Sequence, residues 1–235
     1  MNPATRAALM GVTTATLTTV LLKKGVRFCY VNGARPLVPG NFTRIVGPAF
    51  TLRFTPTRED LATVDSWSSP RSTRAAIEDM PEGCVAIADA MGLATAGIFG
   101  DILCARMKVK GVAGLVTDGM VRDGQGVIGT GLPVFSQGCV APASVAALNF
   151  VGWQETIGCG GVTVVPGDIV VADGDGAVVI PLALVDAVTE AAVEQERLEG
   201  WIMQEVGKGL ALPGLYPANA ETKARYDADK AAGRV

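Results

Sequence analysis

One acidic residue and an arginine–aspartate pair, with twenty residues between them, form the pattern best suited to chemistry: Asp101, then Arg122 and Asp123. A guanidinium can hold a carboxylate through two parallel hydrogen bonds, and an aspartate oxygen can ligate a hard cation such as Mg²⁺. These residue types therefore predict a site for an anionic ligand beside a divalent metal. The same spacing also fits a structural Arg–Asp ion pair in a turn, with Asp101 as a helix cap.

Two glycines, Gly97 and Gly100, precede this pattern. They predict a tight turn into a helix over 101–110, where free backbone N–H groups and the helix dipole favour an anion. The scale suits one small carboxylate, because the Gly-x-x-x-x-Gly-Lys-Ser/Thr pattern that holds nucleotide phosphates is absent from the sequence. A tight connection without a ligand is the alternative.

The absence of histidine excludes several familiar catalytic systems. A Ser-His-Asp or Cys-His nucleophile cannot be built within this chain, nor can a His-ligated zinc site. Two other nucleophiles stay open, namely a thiol among the five widely spaced cysteines and a Schiff-base lysine at Lys108 or Lys110. Acid–base chemistry is otherwise expected from carboxylates or from water on a metal.

Short apolar strands alternate with helices in the middle of the chain, which predicts an α/β fold with a parallel or mixed sheet covered by helices. Strands are expected at 84–88, 112–116 and 132–136, and helices at 72–80 and 101–110. Ligands bind at the carboxyl ends of strands in such sheets. Two strand ends would therefore bring the acidic residues and the arginine together.

The two ends of the chain follow other patterns. A first amphipathic helix is expected over 7–22, and tight-turn sequences between apolar strands predict an antiparallel meander or hairpin over 161–180. A long helix should follow over 182–206. Residues 1–212 are therefore predicted to form a single domain, and residues 213–235 a polar, arm-like tail that a partner subunit partly orders.

Composition limits the partners and the compartment. The 20 basic and 23 acidic residues give a formal net charge of −3, and without a basic stripe they predict no binding to nucleic acid. Glycine, proline or charged residues interrupt the apolar runs before membrane-spanning length. The cysteines form no disulfide pattern and are expected to be reduced and buried, so a cytoplasmic protein without membrane association is predicted.

Gly100-Asp101 followed by Arg122-Asp123 resembles the Asp-x20-Arg-Asp signature of the RraA-like family, which includes the 4-hydroxy-4-methyl-2-oxoglutarate aldolases and the regulators of ribonuclease E activity. The similarity extends to the strand Leu132-Pro133-Val134-Phe135 and to 166–173 with its hairpin partner. This resemblance implies an α/β fold of the RraA-like swivelling β/β/α sandwich type, with a C-terminal helix and an extended tail. It also implies a homotrimer or homohexamer with active sites between subunits.

The activity that the resemblance implies is a divalent-metal-dependent lyase, which cleaves a 4-hydroxy-2-oxo acid to pyruvate and a carbonyl product and also decarboxylates oxaloacetate. Asp123 would bind Mg²⁺ or Mn²⁺ largely through water, and Asp101 would hold one of those waters, with that water or a neighbour as the base. Arg122 would bind the 2-oxo acid and stabilise the developing enolate. Backbone N–H groups would take the substrate carboxylate, around Gly100, Asp101, Ile102 and Leu103.

Three points stay open at the level of sequence. Family aldolases use a glutamate from a neighbouring subunit to hold the metal waters, and Glu196, Glu199 and Glu205 are candidates that also fit the solvated face of the last helix. The polar loop over 60–71 and the tail could shape the pocket for another product, such as one derived from a sugar acid. The alternative function is a non-catalytic regulator that binds a ribonuclease, a role with no chemical need for the Asp-x20-Arg-Asp set.

Overall fold

The computed structural model describes residues 1–234, and short strands and helices alternate along them. The strands are β1 (Arg35–Pro36), β2 (Ile45–Pro56), β3 (Val85–Asp89), β4 (Gly114–Thr117), β5 (Met120–Val121), β6 (Val134–Ser136), β7 (Gly138–Cys139), β8 (Leu148–Trp153), β9 (Ile157–Cys159), β10 (Val162–Val164), β11 (Ile169–Asp173) and β12 (Gly176–Ile180). The helices are α1 (Pro3–Met10), α2 (Thr14–Lys23), α3 (Thr73–Asp79), α4 (Asp101–Val109), α5 (Gly124–Gly129), α6 (Val185–Gly207) and α7 (Ala220–Ala231).

A mixed sheet in the order β1-β6-β4-β3-β2-β11-β12, with β8 also paired to β2, organises these elements. Four adjacent strands, β6, β4, β3 and β2, run parallel to one another. The remaining strands of the sheet, β1, β8, β11 and β12, pair antiparallel with their neighbours. The long strand β2 changes partner along its length, from β11 over 45–48 to β3 over 49–53. This change joins the parallel strands to the β11–β12 hairpin.

Apolar side chains pack the sheet between successive layers. Helices α3, α4 and α5 cover one face through Ile77, Met107 and Val127. The other face packs against β9–β12, and α1, α2 and α6 cover the outer side of the β11–β12 hairpin. The predicted α/β class is confirmed, and the β11–β12 end of the sheet forms an additional layer between the parallel strands and the outer helices.

The prediction of a single helix over 7–22 is wrong, because the chain forms two helices there, with Thr13 as the cap of the second. Arg44 fixes the break by donating hydrogen bonds of 2.9 Å to the carbonyl oxygens of Met10 and Val12. Among residues 1–234, no single helix is both long and apolar enough to cross a membrane; α1 and α2 meet that test only as a pair, bent by 111°.

The C-terminal half agrees only in part with the expected pattern. β11 and β12 form the predicted antiparallel hairpin, with Ile169 opposite Ile180. β10 pairs instead with β9, so the stretch over 161–180 is not a continuous meander. The long helix is confirmed as α6, which begins after a short 3₁₀ turn over Leu182–Leu184.

The tail beyond residue 212 contains α7, which packs back onto α6 of the same chain. The rings of Tyr226 and Trp201 meet edge to face with centroids 5.8 Å apart. Lys230 Nζ lies 2.6 Å from Glu194 Oε1. The expectation of an arm-like tail is therefore wrong for this segment, since its own chain supplies these contacts; partial ordering by a partner subunit and the domain boundary at 212/213 stay predictions.

Candidate functional site

The residues predicted from sequence to form the site meet in one cavity of about 220 Å³ at the N-terminus of α4. Its lining includes every one of them: Gly100, Asp101, Ile102, Leu103, Arg122 and Asp123. The cavity is small for a drug-sized ligand and suits a compact metabolite.

Close backbone approach, rather than a side-chain contact, places Arg122 and Asp123 beside α4. The Arg122 N–H donates to the Phe99 carbonyl oxygen at 2.9 Å. A Cβ atom at Gly97 would lie 2.7 Å from the Val121 carbonyl carbon, which no real side chain tolerates. Glycine at 97 therefore lets the β5 segment run directly against the turn that opens α4.

Substituting Gly97 with alanine is expected to lower the free energy of unfolding by about 1–3 kcal/mol, because backbone rather than a flexible side chain must move to admit the new methyl group. Urea denaturation measures this change. Gly129→Ala is the matched control, since a Cβ there meets nothing within 4 Å and should change stability by no more than about 1 kcal/mol. Equal stability of the Gly97 variant and the wild type would contradict this account of the turn.

An ion pair joins the two adjacent residues of the motif. Arg122 Nε donates to Asp123 Oδ2 at 3.1 Å, with the two side chains 36% and 45% exposed. Such exposed pairs contribute little to stability. Because the terminal nitrogens of Arg122 and Oδ1 of Asp123 have no hydrogen-bond partner within residues 1–234, the pair keeps donors and an acceptor free for a ligand.

Free backbone donors surround this pair at the start of α4. The N–H groups of Gly100, Asp101 and Leu103 donate to no acceptor in the described part of the chain. The Ile102 N–H differs from the expectation, because it already donates to Oδ1 of Asp101 at 2.7 Å. Three N–H groups and the positive end of the helix dipole thus remain for an anion.

Two further glycines leave space for the two carboxylates of the site. A Cβ at Gly100 would lie 2.6 Å from Asp123 Oδ2, and one at Gly126 would lie 2.7 Å from Asp101 Oδ2. Asp123 itself adopts a left-handed conformation with φ of 54°, which aspartate tolerates better than most residues. The two carboxylates are therefore held at one end of α4 by backbone shape.

The donor set for a divalent cation consists of these two carboxylates. No group of three or more His, Cys, Asp or Glu side chains that could hold a metal occurs in residues 1–234. Mg²⁺ nevertheless fits such a site, because it keeps several of its waters and often binds through one or two carboxylates. The accessible Oδ1 of Asp123 is the oxygen that would hold it.

Several further side chains, which no motif in the sequence indicated, line the same cavity: Trp67, Thr73, Arg74, Ala143 and Ser144. Trp67 belongs to the loop over 60–71 that was expected to shape the pocket. The Arg74 guanidinium carbon lies 5.2 Å from the centroid of the Trp67 ring. The only sign of this role in the sequence is a tryptophan in an otherwise polar loop. Its contact with the cavity depends on long-range packing, so the sequence alone did not show it.

The alternative nucleophiles find no support in the geometry. Lys108 and Lys110 lie at the opposite end of α4, roughly 10–13 Å away along a helix of nine residues. Burial raises the pKa of the Cys84 thiol to about 11 and that of Cys104 to about 12, which keeps both in the inert thiol form. Cys139 corrects the prediction that the cysteines are buried, since it is exposed, but it does not line the cavity.

The three C-terminal glutamates have different intrachain partners. Glu196 accepts hydrogen bonds from the N–H and hydroxyl of Thr13 at 2.7 and 2.8 Å, which stabilise the start of α2. The buried Glu205 pairs with Lys208 at 2.6 Å and with Arg225. Glu199 accepts a single side-chain hydrogen bond, from Gln195 at 2.7 Å. A role of any of them toward a neighbouring subunit stays a prediction, and Glu199 is the least engaged of the three.

Comparison with known proteins agrees with the motif. A family model named RraA-like and described as Aldolase/RraA matches residues 14–179. A Halalkalibacterium halodurans protein named "Putative 4-hydroxy-4-methyl-2-oxoglutarate aldolase" is 33% identical over 153 residues, which cover 65% of this chain and 67% of the relative. The Legionella pneumophila protein DlpA is 28% identical over 76% of this chain, but that match spans only 28% of DlpA.

A solved structure supports the same assignment. Streptomyces coelicolor RraAS2, described as an unusual member of the RNase ES inhibitor RraA protein family, is 35% identical and superposes with a TM-score of 0.76. The match covers 86% of this chain and 96% of that one. This likeness confirms the RraA-like α/β fold predicted from the sequence. Together with the matched family model, it places the chain in the RraA-like family.

Proposed function

We propose that this chain is a divalent-metal-dependent lyase that cleaves a 4-hydroxy-2-oxo acid to pyruvate and a carbonyl product, and that it also decarboxylates oxaloacetate. One observation carries the proposal. Arg122, Asp123 and the residues with unpaired N–H groups at the start of α4 all line one small cavity. Similarity to a relative whose name includes an aldolase activity supports it.

The substrate carboxylate would bind to the donors at the start of α4. Three free N–H groups lie there, at Gly100, Asp101 and Leu103, and the Arg122 guanidinium contributes terminal nitrogens that Asp123 does not use. An arginine fork matches a carboxylate geometrically and adds positive charge to the helix dipole. This end of the cavity therefore suits the 2-oxo acid half of the substrate.

Mg²⁺ or Mn²⁺ is the proposed cofactor, held by Asp123 with water in the remaining positions and with Asp101 bonded to one of those waters. When bound, such a cation would draw electrons from the 2-oxo carboxylate and make the pyruvate enolate a better leaving group. The absence of histidine is compatible with this choice, because hard cations prefer oxygen ligands.

Cleavage breaks the bond between C3 and C4 of the substrate. The proton of the 4-hydroxyl group leaves, C4 becomes the carbonyl of one product, and the electron pair of the broken bond forms the enolate, which then takes a proton at C3. Asp101 would orient the water that accepts the hydroxyl proton. Arg122 would stabilise the negative charge that develops on the C2 oxygen.

A coupled assay of pyruvate release tests the proposal. Purified protein should release pyruvate from 4-hydroxy-2-oxo acids and from oxaloacetate when Mg²⁺ or Mn²⁺ is present, and activity should fall to the background rate after EDTA treatment. Adding the metal back should restore it. Full activity after metal removal, or no pyruvate from any member of the substrate panel, would contradict the proposal.

The likeness to RraAS2, from an RNase ES inhibitor family, favours one second candidate, a regulator that binds a ribonuclease. Such a protein would form a tight complex that is insensitive to substitutions of Arg122 and Asp123. Failure to recover a ribonuclease E-type protein with the purified chain would count against it. The free donors and the acceptor in the cavity favour the lyase, because a binding surface needs none of them.

A homotrimer or homohexamer remains part of the proposal. Two large apolar side chains of α4 are strongly exposed: Ile102, which lines the cavity, by 79%, and Val109, at the far end of the helix, by 76%. Their exposure supports a subunit contact along α4 that begins at the site. The predicted cytoplasmic location stays a prediction.

A further inference from the structure

A second cationic group lies in the cavity, on a wall built by different elements from those that hold Arg122. Arg74 belongs to α3, and its guanidinium carbon stacks 5.2 Å from the ring centroid of Trp67, which precedes that helix. Both side chains line the cavity that contains Arg122 and Asp123. The cavity therefore has one arginine on the α4 side and another on the α3 side.

The charge of Arg74 is not neutralised by a neighbouring carboxylate. Two other arginines, Arg71 and Arg106, do pair with carboxylates, with Glu155 at 3.8 Å and with Glu78 at 2.7 Å respectively. Arg74 pairs with no carboxylate and donates no hydrogen bond within residues 1–234. Its N–H groups are therefore available to a ligand.

Stacking on Trp67 orients this free guanidinium. The electrostatic attraction between a guanidinium and an indole face uses none of the N–H donors of the arginine. The contact with Trp67 thus favours one position of the side chain and leaves its capacity to bind a carboxylate intact. A flexible surface arginine would instead lose more conformational entropy when it binds.

The two arginines have separate tasks if the substrate is a 2-oxo acid. Arg122 and the free N–H groups of α4 already suit the carboxylate next to the 2-oxo group. A substrate with that single carboxylate would leave Arg74 without a partner. A substrate with a second carboxylate, on the half that becomes the carbonyl product, would give each guanidinium one anion.

We propose that Arg74, stacked on Trp67, is the specificity-determining residue that selects 4-hydroxy-2-oxo acids with a second carboxylate on the half that leaves as the carbonyl product. This inference rests on the proposed lyase function. It favours a dicarboxylic substrate over a neutral, sugar-acid-derived one.

Steady-state kinetics on two substrates test the inference. The dicarboxylate 4-hydroxy-4-methyl-2-oxoglutarate and the monocarboxylate 4-hydroxy-2-oxopentanoate share the reacting atoms and differ in charge on the leaving half. Arg74→Ala should raise KM for the dicarboxylate about 10-fold, with a small change in kcat, because a charge-assisted hydrogen bond is lost. KM for the monocarboxylate should change less than about twofold, and Arg74→Lys should recover part of the loss.

Arg71→Ala is the matched control. It removes the same charge three residues before Arg74, and the Arg71 side chain does not line this cavity. It should alter neither KM. Equal losses on both substrates, which a structural role would produce, or no loss on either, would overturn the inference while leaving the lyase intact. Wild-type protein that releases pyruvate from neither of these two substrates would overturn this inference, and the lyase would fall with it only if the whole substrate panel, including oxaloacetate, gave no pyruvate.

Discussion

Substitution of Asp123 by asparagine is expected to lower the rate of pyruvate release about 10³-fold while the protein stays folded. Asparagine has the same shape and tolerates the left-handed φ of 54° at this position. It lacks the negative charge that would bind the divalent cation, whose electrostatic contribution to such a reaction is several kcal/mol. Each 1.36 kcal/mol corresponds to tenfold in rate. The coupled assay and calorimetric titration with Mn²⁺ measure both consequences.

Two further variants separate this effect from a general loss of charge. Asp60→Asn removes the same charge from an exposed aspartate that pairs with Arg58 away from the cavity, and it should leave the rate unchanged. Gly100→Ala keeps Asp123 but introduces a Cβ atom 2.6 Å from its Oδ2, so the carboxylate must rotate away. We expect a folded protein with reduced activity. Metal-dependent turnover at the wild-type rate in the asparagine variant would rule out Asp123 as the metal-binding residue.

Replacement of Arg122 by lysine is expected to reduce kcat/KM by about 10²–10³, comparable to the loss of one donor that stabilises a developing oxyanion. Arg122 can use Nε toward Asp123, at 3.1 Å, and its terminal nitrogens toward the substrate at the same time. A lysine ammonium is a point charge without this fork, so it cannot hold both partners in the same geometry. Most of the loss should appear in kcat if the contact strengthens as the enolate forms.

Arg106→Lys is the control for this second prediction. Arg106 makes a two-pronged contact with Glu78 at 2.7 and 2.8 Å, outside the lining of the cavity. The same substitution there should leave kcat/KM within about twofold of the wild type. Similar effects at both positions would mean that Arg122 acts through stability rather than on the substrate. Because Arg122 also contacts Asp123, the two residues are expected to show non-additive effects in the double variant.

Local signals were sufficient for the elements that carry the motif. Gly100 followed by Asp101 and an apolar run predicts the start of α4, and the apolar stretch before Thr117 predicts β4. The tight turn between β11 and β12 was also readable from Asp-Gly repeats. In each case residues close in sequence determine the backbone conformation, so no distant contact was required.

Other elements depend on contacts between distant residues and could not be predicted in this way. The break between α1 and α2 is fixed by Arg44, more than thirty residues away. α7 looked like a polar arm because its apolar contact is carried by few residues, of which Tyr226 against Trp201 is the main one. β10 resembled a neighbour of β11 in sequence, but β9 offered it a closer antiparallel partner.

The sequence by itself determined the chemical character of this protein: a chain without histidine, with an Asp-x20-Arg-Asp set behind a glycine turn, suited to hard cations and small carboxylates. The tertiary structure decided which groups share the cavity. Backbone approach at Gly97 brings Arg122 beside α4, and packing of the loop over 60–71 and of α3 brings Trp67 and Arg74 to the same cavity. Residue types set what each group can bind, whereas the combination of groups around one ligand depends on long-range packing, which spacing along the chain does not encode.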